Sequence, residues 1–372
     1  MEGEFFMKKG KWCAVLAAAA VLLGGNMPAS QAMTRAEIAQ VHVQRDGSDF
    51  RYWEENSEPM ARLVEYVREA VDPSSKNFLP VEDRIAVFDM DGTLLSETTP
   101  YYFEWMVYLD RIYRDPSYQP TEEILKTAEI VQEAVDHRAV TPEIDAMETR
   151  DKAIVLAGLG DEEFRAVVQR TMDRPADGME NLKRGEALYL PMVEVLSYLR
   201  ANDFTIYVVS GGCRQIVRAV AWDALPQIYP NHIIGADVSL KALHQGDTPV
   251  EKYRFQRNVD EIVTTGEILE RTEGCQKAIK MAREIGKHPV LSFGNSMGDT
   301  SMHEYTLSNK KHRALAFSLC CDDVEREYGN LEKAEAMKKT CEERGWIPVS
   351  MRSDWKTIYG DDVKKVLAAD KN

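Results

Sequence analysis

Asp89-Met90-Asp91-Gly92-Thr93 sets two carboxylates two residues apart, directly after the apolar run Ile85-Ala86-Val87-Phe88 and before a glycine that lets the chain turn sharply. A carboxylate at the end of a buried strand can attack an electrophilic phosphorus and form an aspartyl-phosphate, splitting one hard displacement into two easier ones. A second carboxylate on the same cleft can protonate the leaving oxygen and later take the proton from attacking water. Asp89 suits the first role and Asp91 the second. The same five residues also suit an Asx turn leading out of a strand, which Asp and Gly favour.

Three further stretches carry compatible chemistry. Ser210-Gly211-Gly212 follows the apolar run Phe204 to Val209 and stands where a helix should start. A hydroxyl with backbone N–H groups at a helix N-terminus makes an anion cradle, although a Ser before Gly-Gly also serves as a plain N-cap. Gly294-Asn295-Ser296-Met297-Gly298-Asp299 follows the run Val290 to Phe293 and offers side-chain oxygens to a hard cation, or a glycine-rich turn with a cap at Asp299. Lys277 lies eighteen residues before Asn295, with Lys280 as its nearest rival, on a helix where lysines usually face water.

The elements that must hold these groups follow from the apolar pattern. Short apolar runs at 85–88, 204–209, 232–238, 290–293 and 314–319 read as strands buried on both faces. Helical patterns separate most of them: one opens at Pro191 and stops at Asn202, and others cover 214–222 and 276–285. Strands alternating with helices predict an α/β fold with a doubly wound parallel sheet, whose ligands sit at the carboxyl ends of the strands. A lead-in over 33–80 carries one helix near 59–71. The interval 97–188 holds helix signals and no strand, with Thr121 and Asp161 as helix caps, and is read as a helical insertion. The sheet domain would then comprise 81–96 and 189–372, with helices and loops beyond Leu319.

Asp89-Met90-Asp91-Gly92-Thr93 resembles the first signature of the haloacid dehalogenase superfamily, whose phosphatases carry Asp-x-Asp-x-Thr after the first strand. The resemblance implies a second signature at Ser210 and Gly211 that binds phosphate, and a third at Lys277 that neutralises charge on the nucleophile and phosphoryl group. It implies a fourth at Asn295 and Asp299 that completes a Mg²⁺ site with Asp89 and Asp91. Many relatives have Asp where Asn295 stands, so this site carries one negative charge fewer. An insertion of helices just after the first signature looks like the type-1 cap of phosphoserine-phosphatase-like members, which closes over small substrates. Past the nucleophile, Glu97, Tyr101, Tyr102, Glu104 and Trp105 form either a pocket for a cationic group or the packing face of a helix.

Composition narrows the setting. The chain has 372 residues, 46 Lys and Arg against 61 Asp and Glu, and a net charge of −15, with no basic tract to follow a nucleic-acid backbone. Lys8, Lys9 and Lys11 precede an apolar run from Trp12 to Leu23 and a small-x-small site at Ser30-Gln31-Ala32, which reads as a signal peptide over 1–32. Its removal leaves a net charge of −16 and an exported, periplasmic or extracellular chain with no membrane span. Cys213, Cys275, Cys320, Cys321 and Cys341 remain, an odd number that permits one or two bridges. The combined reading is a Mg²⁺-dependent phosphomonoesterase acting on small phosphorylated metabolites. Its rivals are a phosphotransferase using the same intermediate and an inactive protein that only captures a phosphorylated ligand.

Overall fold

The computed structural model describes residues 32–99 and 101–366. The proposed leader lies outside them except for Ala32, whose side chain is buried and whose N–H donates to the Asn181 carbonyl at 3.1 Å.

Ile85–Phe88 (β1) stands at the centre of a seven-stranded sheet, with all four residues buried between covered faces. The sheet order is β5 (Ile262–Glu270), β4 (Ile233–Ala242), β3 (Thr205–Cys213), β1, β6 (Leu291–Gly294), β7 (Leu315–Cys320) and β8 (Ile347–Ser350). Every pairing is parallel except β4 with β5. The α/β class with a doubly wound parallel sheet therefore holds.

Two strands of this sheet depart from the sequence reading. β5 is the antiparallel return of a hairpin arm and is largely exposed, so it lacks the continuous apolar run that marks a strand covered on both faces. β8 extends the sheet where only helices and loops were expected beyond Leu319. Pro348 hides it in the sequence, yet an edge strand tolerates proline.

Before β1 come α1 (Arg35–Ile38) and α2 (Glu58–Val71), the latter capped by the Ser57 hydroxyl, which accepts from the Met60 N–H. The sheet is flanked by α7 (Leu190–Ala201), α8 (Arg214–Ala224), α9 (Cys275–Glu284), α10 (Thr300–Leu307) and α11 (Leu331–Arg344). Pro191 sits in the first turn of α7, where its missing N–H costs nothing, and Asn202 caps its end.

Between β1 and β3 stand α3 (Phe103–Arg114), α4 (Glu122–Asp136), α5 (Pro142–Val155) and α6 (Asp161–Met172). The interval read as free of strands holds one, the two-residue β2 (Met179–Glu180), which pairs with β9 (Lys364–Lys365) and is too short to leave an apolar run in the sequence. Thr121 caps α4 through its hydroxyl, whereas Gly160 takes the N-cap of α6 and Asp161 becomes its first helical residue. A carboxylate there still favours the positive end of the helix. Trp105, Tyr108, Leu109, Ile124 and Val131 belong to an apolar cluster separate from the sheet core.

This segment leaves and returns at one place. The Ser96 N–H donates to the Ala187 carbonyl and the Tyr189 N–H to the Leu94 carbonyl, each at 2.9 Å, so the two linkers pair antiparallel. Beside them the fully buried Glu327 accepts from the hydroxyls of Thr98, Thr99 and Tyr359 and from the Tyr328 N–H. All five cysteines among the described residues are free thiols, so the one or two bridges that their number permits are absent among them.

Candidate active site

The Asp89 N–H donates to the Phe293 carbonyl at 2.9 Å, which prolongs the pairing of β1 with β6 by one residue and fixes the nucleophile candidate at the sheet's rim. Gly92 then turns the chain with φ +77, and a Cβ there would lie 2.0 Å from Asn295 Nδ2. Only glycine satisfies both the turn and that approach. The Thr93 hydroxyl donates to Asn295 Oδ1 at 3.4 Å, tying the first rim segment to the fourth.

Lys277 decides between the two lysines. Its ammonium lies 2.6 Å from Asp89 Oδ1 and 2.6 Å from Asp299 Oδ1, with all three residues buried. Lys280 instead donates to the Gly235 carbonyl and to Asp237, both at 2.7 Å, and braces the base of the β4–β5 arm. Three residues along α9 turn the side chain by about 60° and move it roughly 4.5 Å along the axis, so the two lysines share a helix face and are separated by the partners they reach.

Asp299 spends both oxygens on the protein. Oδ1 faces Lys277, while Oδ2 accepts from the N–H groups of Asn295 and Ser296 at 3.0 Å and from the Ser296 hydroxyl at 3.2 Å. Ser210 is buried at the rim and its Oγ accepts from the Gly212 N–H at 3.0 Å. α8 starts at Arg214, where the 214–222 pattern puts it, and not at Gly211-Gly212. β3 bulges after Val209 and pairs again at Cys213 with Ala236, so Gly211 and Gly212 extend the strand instead of opening the helix.

Burial sets the electrostatics. It pushes the Asp89 carboxyl up to about 7, Asp299 adds to the rise, and Lys277 opposes it. Burial also drives Asp91 well above the carboxylate range, reinforced by Glu104, Asp89 and Glu97. A carboxyl kept protonated in this way can donate a proton. Burial works against the Lys277 ammonium, but Asp299 and Asp89 outweigh it and raise its pKa, so the cation persists. Asp299 is held below its ordinary value, because Lys277, His303 and the backbone donors overcome its burial.

Among the described residues no three His, Cys, Asp or Glu side chains gather into a metal cage. Of the four expected ligands, Asp89, Asp91 and Asn295 line one cavity and offer it hard oxygens, whereas both oxygens of Asp299 are engaged by Lys277, Asn295 and Ser296. Mg²⁺ commonly binds through one or two carboxylates, keeps several waters and meets a substrate phosphate, so this donor chemistry fits it.

The rim opens into a cavity of ≈ 550 Å³ bordered by Asp89, Asp91, Ser210, Gly211, Lys277 and Asn295 at one end. Glu97, Tyr102, Glu104 and Trp105 reach its wall from the inserted segment. Tyr101 does not; it lines an adjoining depression of ≈ 270 Å³, where Arg138 stacks over Tyr101 and Tyr328. Glu104 Oε2 accepts from the Cys213 N–H at 3.0 Å, which draws the start of α3 onto the end of β3.

A family model for haloacid dehalogenase-like hydrolases matches residues 86–304, from β1 through α10. The chain belongs to this family. Among solved structures, a protein of unknown function from Bordetella pertussis Tohama I is 15% identical, with 72% of this chain and 97% of that chain covered and a TM-score of 0.45. Cytosolic 5'-nucleotidase IIIB bound to cytidine is 12% identical, covering 79% and 86%, with a TM-score of 0.46. A probable phosphoserine phosphatase from Vibrio cholerae is 11% identical, covering 72% and 65%, with a TM-score of 0.34. No curated protein sequence matches significantly.

In this haloacid dehalogenase-like chain the cavity wall also holds three cations that sequence reasoning missed. Lys152 is buried between Glu104 and Glu148, at 3.0 and 3.1 Å. Arg271 pairs with Asp145 at 3.0 Å and with Glu273, and Lys333 of α11 pairs with Glu97 at 3.2 Å. The Glu148 and Lys152 spacing of four is a readable helix pair. Nothing local marks Arg271 or Lys333, and Lys333 lies beyond the matched family segment.

Proposed function

We propose that this haloacid dehalogenase-like hydrolase is a Mg²⁺-dependent phosphomonoesterase that acts, after export, on small phosphorylated metabolites. The observation that carries the reading is the Lys277 ammonium touching Asp89 and Asp299 together at the mouth of the cavity. One fixed cation beside a strand-end carboxylate is what in-line attack on a phosphate monoester requires, since charge must be neutralised without moving protein groups.

In this reading the phosphoryl group lies against Ser210 Oγ and Lys277. A carboxylate oxygen of Asp89 attacks phosphorus as the P–O bond to the leaving group breaks, and Asp91 gives its proton to that oxygen. Asp91 then removes a proton from water, the water oxygen attacks phosphorus, and the Asp89–phosphorus bond breaks to release phosphate. Mg²⁺, held by Asp89, the Asp91 carbonyl and Asn295, would supply positive charge to the phosphoryl oxygens. Asp299 acts on Lys277 as a positioning residue.

The test is phosphate release from a panel of monoesters with Mg²⁺ present. The wild-type chain is expected to turn over, chelation is expected to stop it, and Asp89→Asn is expected to abolish it. Undiminished release by Asp89→Asn overturns the proposal.

A further inference from the structure

The part of the cavity beyond the rim has its own chemistry. Trp105, Leu156 and Phe164 reach it from the inserted helices, and Val238 and Ile268 from the β4–β5 arm. Each cation on this wall already has a carboxylate partner: Lys152 with Glu104 and Glu148, Arg271 with Asp145 and Glu273, and Lys333 with Glu97. The remaining acid on this wall, Asp237, is held by Arg214 and Lys280 at 2.7 Å each, so the wall's charges are paired. A second charged group on a substrate would have to break one of these ion pairs and leave its partner uncompensated. Arg271 Nε and the Thr272 hydroxyl have no protein partner, which provides for one neutral oxygen on an otherwise apolar body.

We infer that the far end of the cavity takes an uncharged, mainly apolar leaving group, aryl or medium-length alkyl, and turns away esters that carry a second anionic group. This rests on the phosphomonoesterase reading above. The cavity's ≈ 550 Å³ is room for a drug-sized body rather than for a phosphoryl group alone. The arm that supplies Val238 and Ile268 thereby becomes a specificity element. Its outer strand is anchored to the inserted segment: the Gly158 N–H donates to the Thr264 carbonyl at 2.8 Å, and the Thr264 N–H to the Leu159 carbonyl at 3.2 Å.

The experiment compares kcat/KM for hexyl phosphate, phenyl phosphate, 3-phosphoglycerate and 2-aminoethyl phosphate. The two apolar esters are expected to exceed 3-phosphoglycerate by at least about tenfold. Ile268→Lys, at a position 37% exposed, should narrow that ratio from both sides with an unchanged melting temperature. Calorimetric binding of hexylphosphonate against 3-phosphonopropionate to the wild-type protein gives the same comparison without turnover, with hexylphosphonate expected tighter by a similar factor. A preference for 3-phosphoglycerate, 2-aminoethyl phosphate or 3-phosphonopropionate overturns the inference, as does an unchanged ratio in Ile268→Lys. Absence of turnover on all four esters refutes the phosphatase reading instead, while the phosphonate pair still decides the nature of the wall.

Discussion

At the rim of the cavity Asp89, Ser210, Lys277 and Asn295 come from four separate elements, yet each is pinned to the sheet or to its neighbour. Asp89 continues the β1–β6 ladder, Lys277 is clasped by two carboxylates, and Asn295 is shouldered by Gly92 and Thr93. The opposite wall is built from helices and a hairpin arm, its ions neutralise one another, and its apolar side chains face open space. One end holds a geometry and the other holds a volume. A fixed geometry can bind one group shared by every substrate, whereas a volume can sort what is attached to that group.

The sharpest way to break this contrast is to alter the rim and ask whether all esters suffer alike. Asp89→Asn should lower phosphate release by about a thousandfold or more for every ester, read from initial rates with Mg²⁺ present. Lys277→Met should cost roughly 10²–10³ in kcat, again independent of the leaving group. A strong dependence on the leaving group in either variant would show that rim and wall are not separate.

Gly92→Ala comes next. The left-handed φ and the 2.0 Å collision with Asn295 should displace the fourth rim segment, lowering kcat by about tenfold or more and the melting temperature by several degrees. Thermal unfolding and steady-state rates on one preparation test both.

The smallest expected effect belongs to the wall. Burial pushes Glu148 up to about 7 from an ordinary value near 4.5, with Lys152 opposing. A carboxyl whose pKa is raised by folding binds its proton more tightly in the native state, so its contribution to stability is greatest at acid pH and is lost as pH rises through that interval. Between about pH 5 and 7 the melting temperature should fall by a few degrees, and Glu148→Gln should flatten that slope without moving the rim's rates. An unchanged slope in Glu148→Gln would show that this carboxyl does not govern the wall's response to pH.

Sequence alone carries the rim further than the wall, for a physical reason. Asp89 and Ser210 directly follow a short apolar run, and Asp91 and Asn295 lie within three residues of one, because a buried parallel strand is a continuous stretch of chain whose end marks the place. The sheet class is legible for the same reason. Lys152, Arg271 and Lys333 meet only through tertiary packing, from α5, the loop before α9 and α11. No spacing announces them. Tyr101 and Tyr102 are neighbours in sequence, yet only Tyr102 faces the cavity, because the chain turns between them into α3 with φ +48 at Tyr102. β5 and β8 escape notice because one is exposed on an arm and the other is a proline-containing edge.

The paired linkers at Leu94–Ser96 and Ala187–Tyr189 act as a single doorway. Helix α4 between them packs in an apolar cluster apart from the sheet core, so it can be lengthened, trimmed or exchanged with the least disturbance to the sheet. Such a module lets selection rewrite which molecules are admitted without reopening the question of how they are cut, and it gives protein engineers a natural seam for grafting foreign helices onto an intact hydrolytic base.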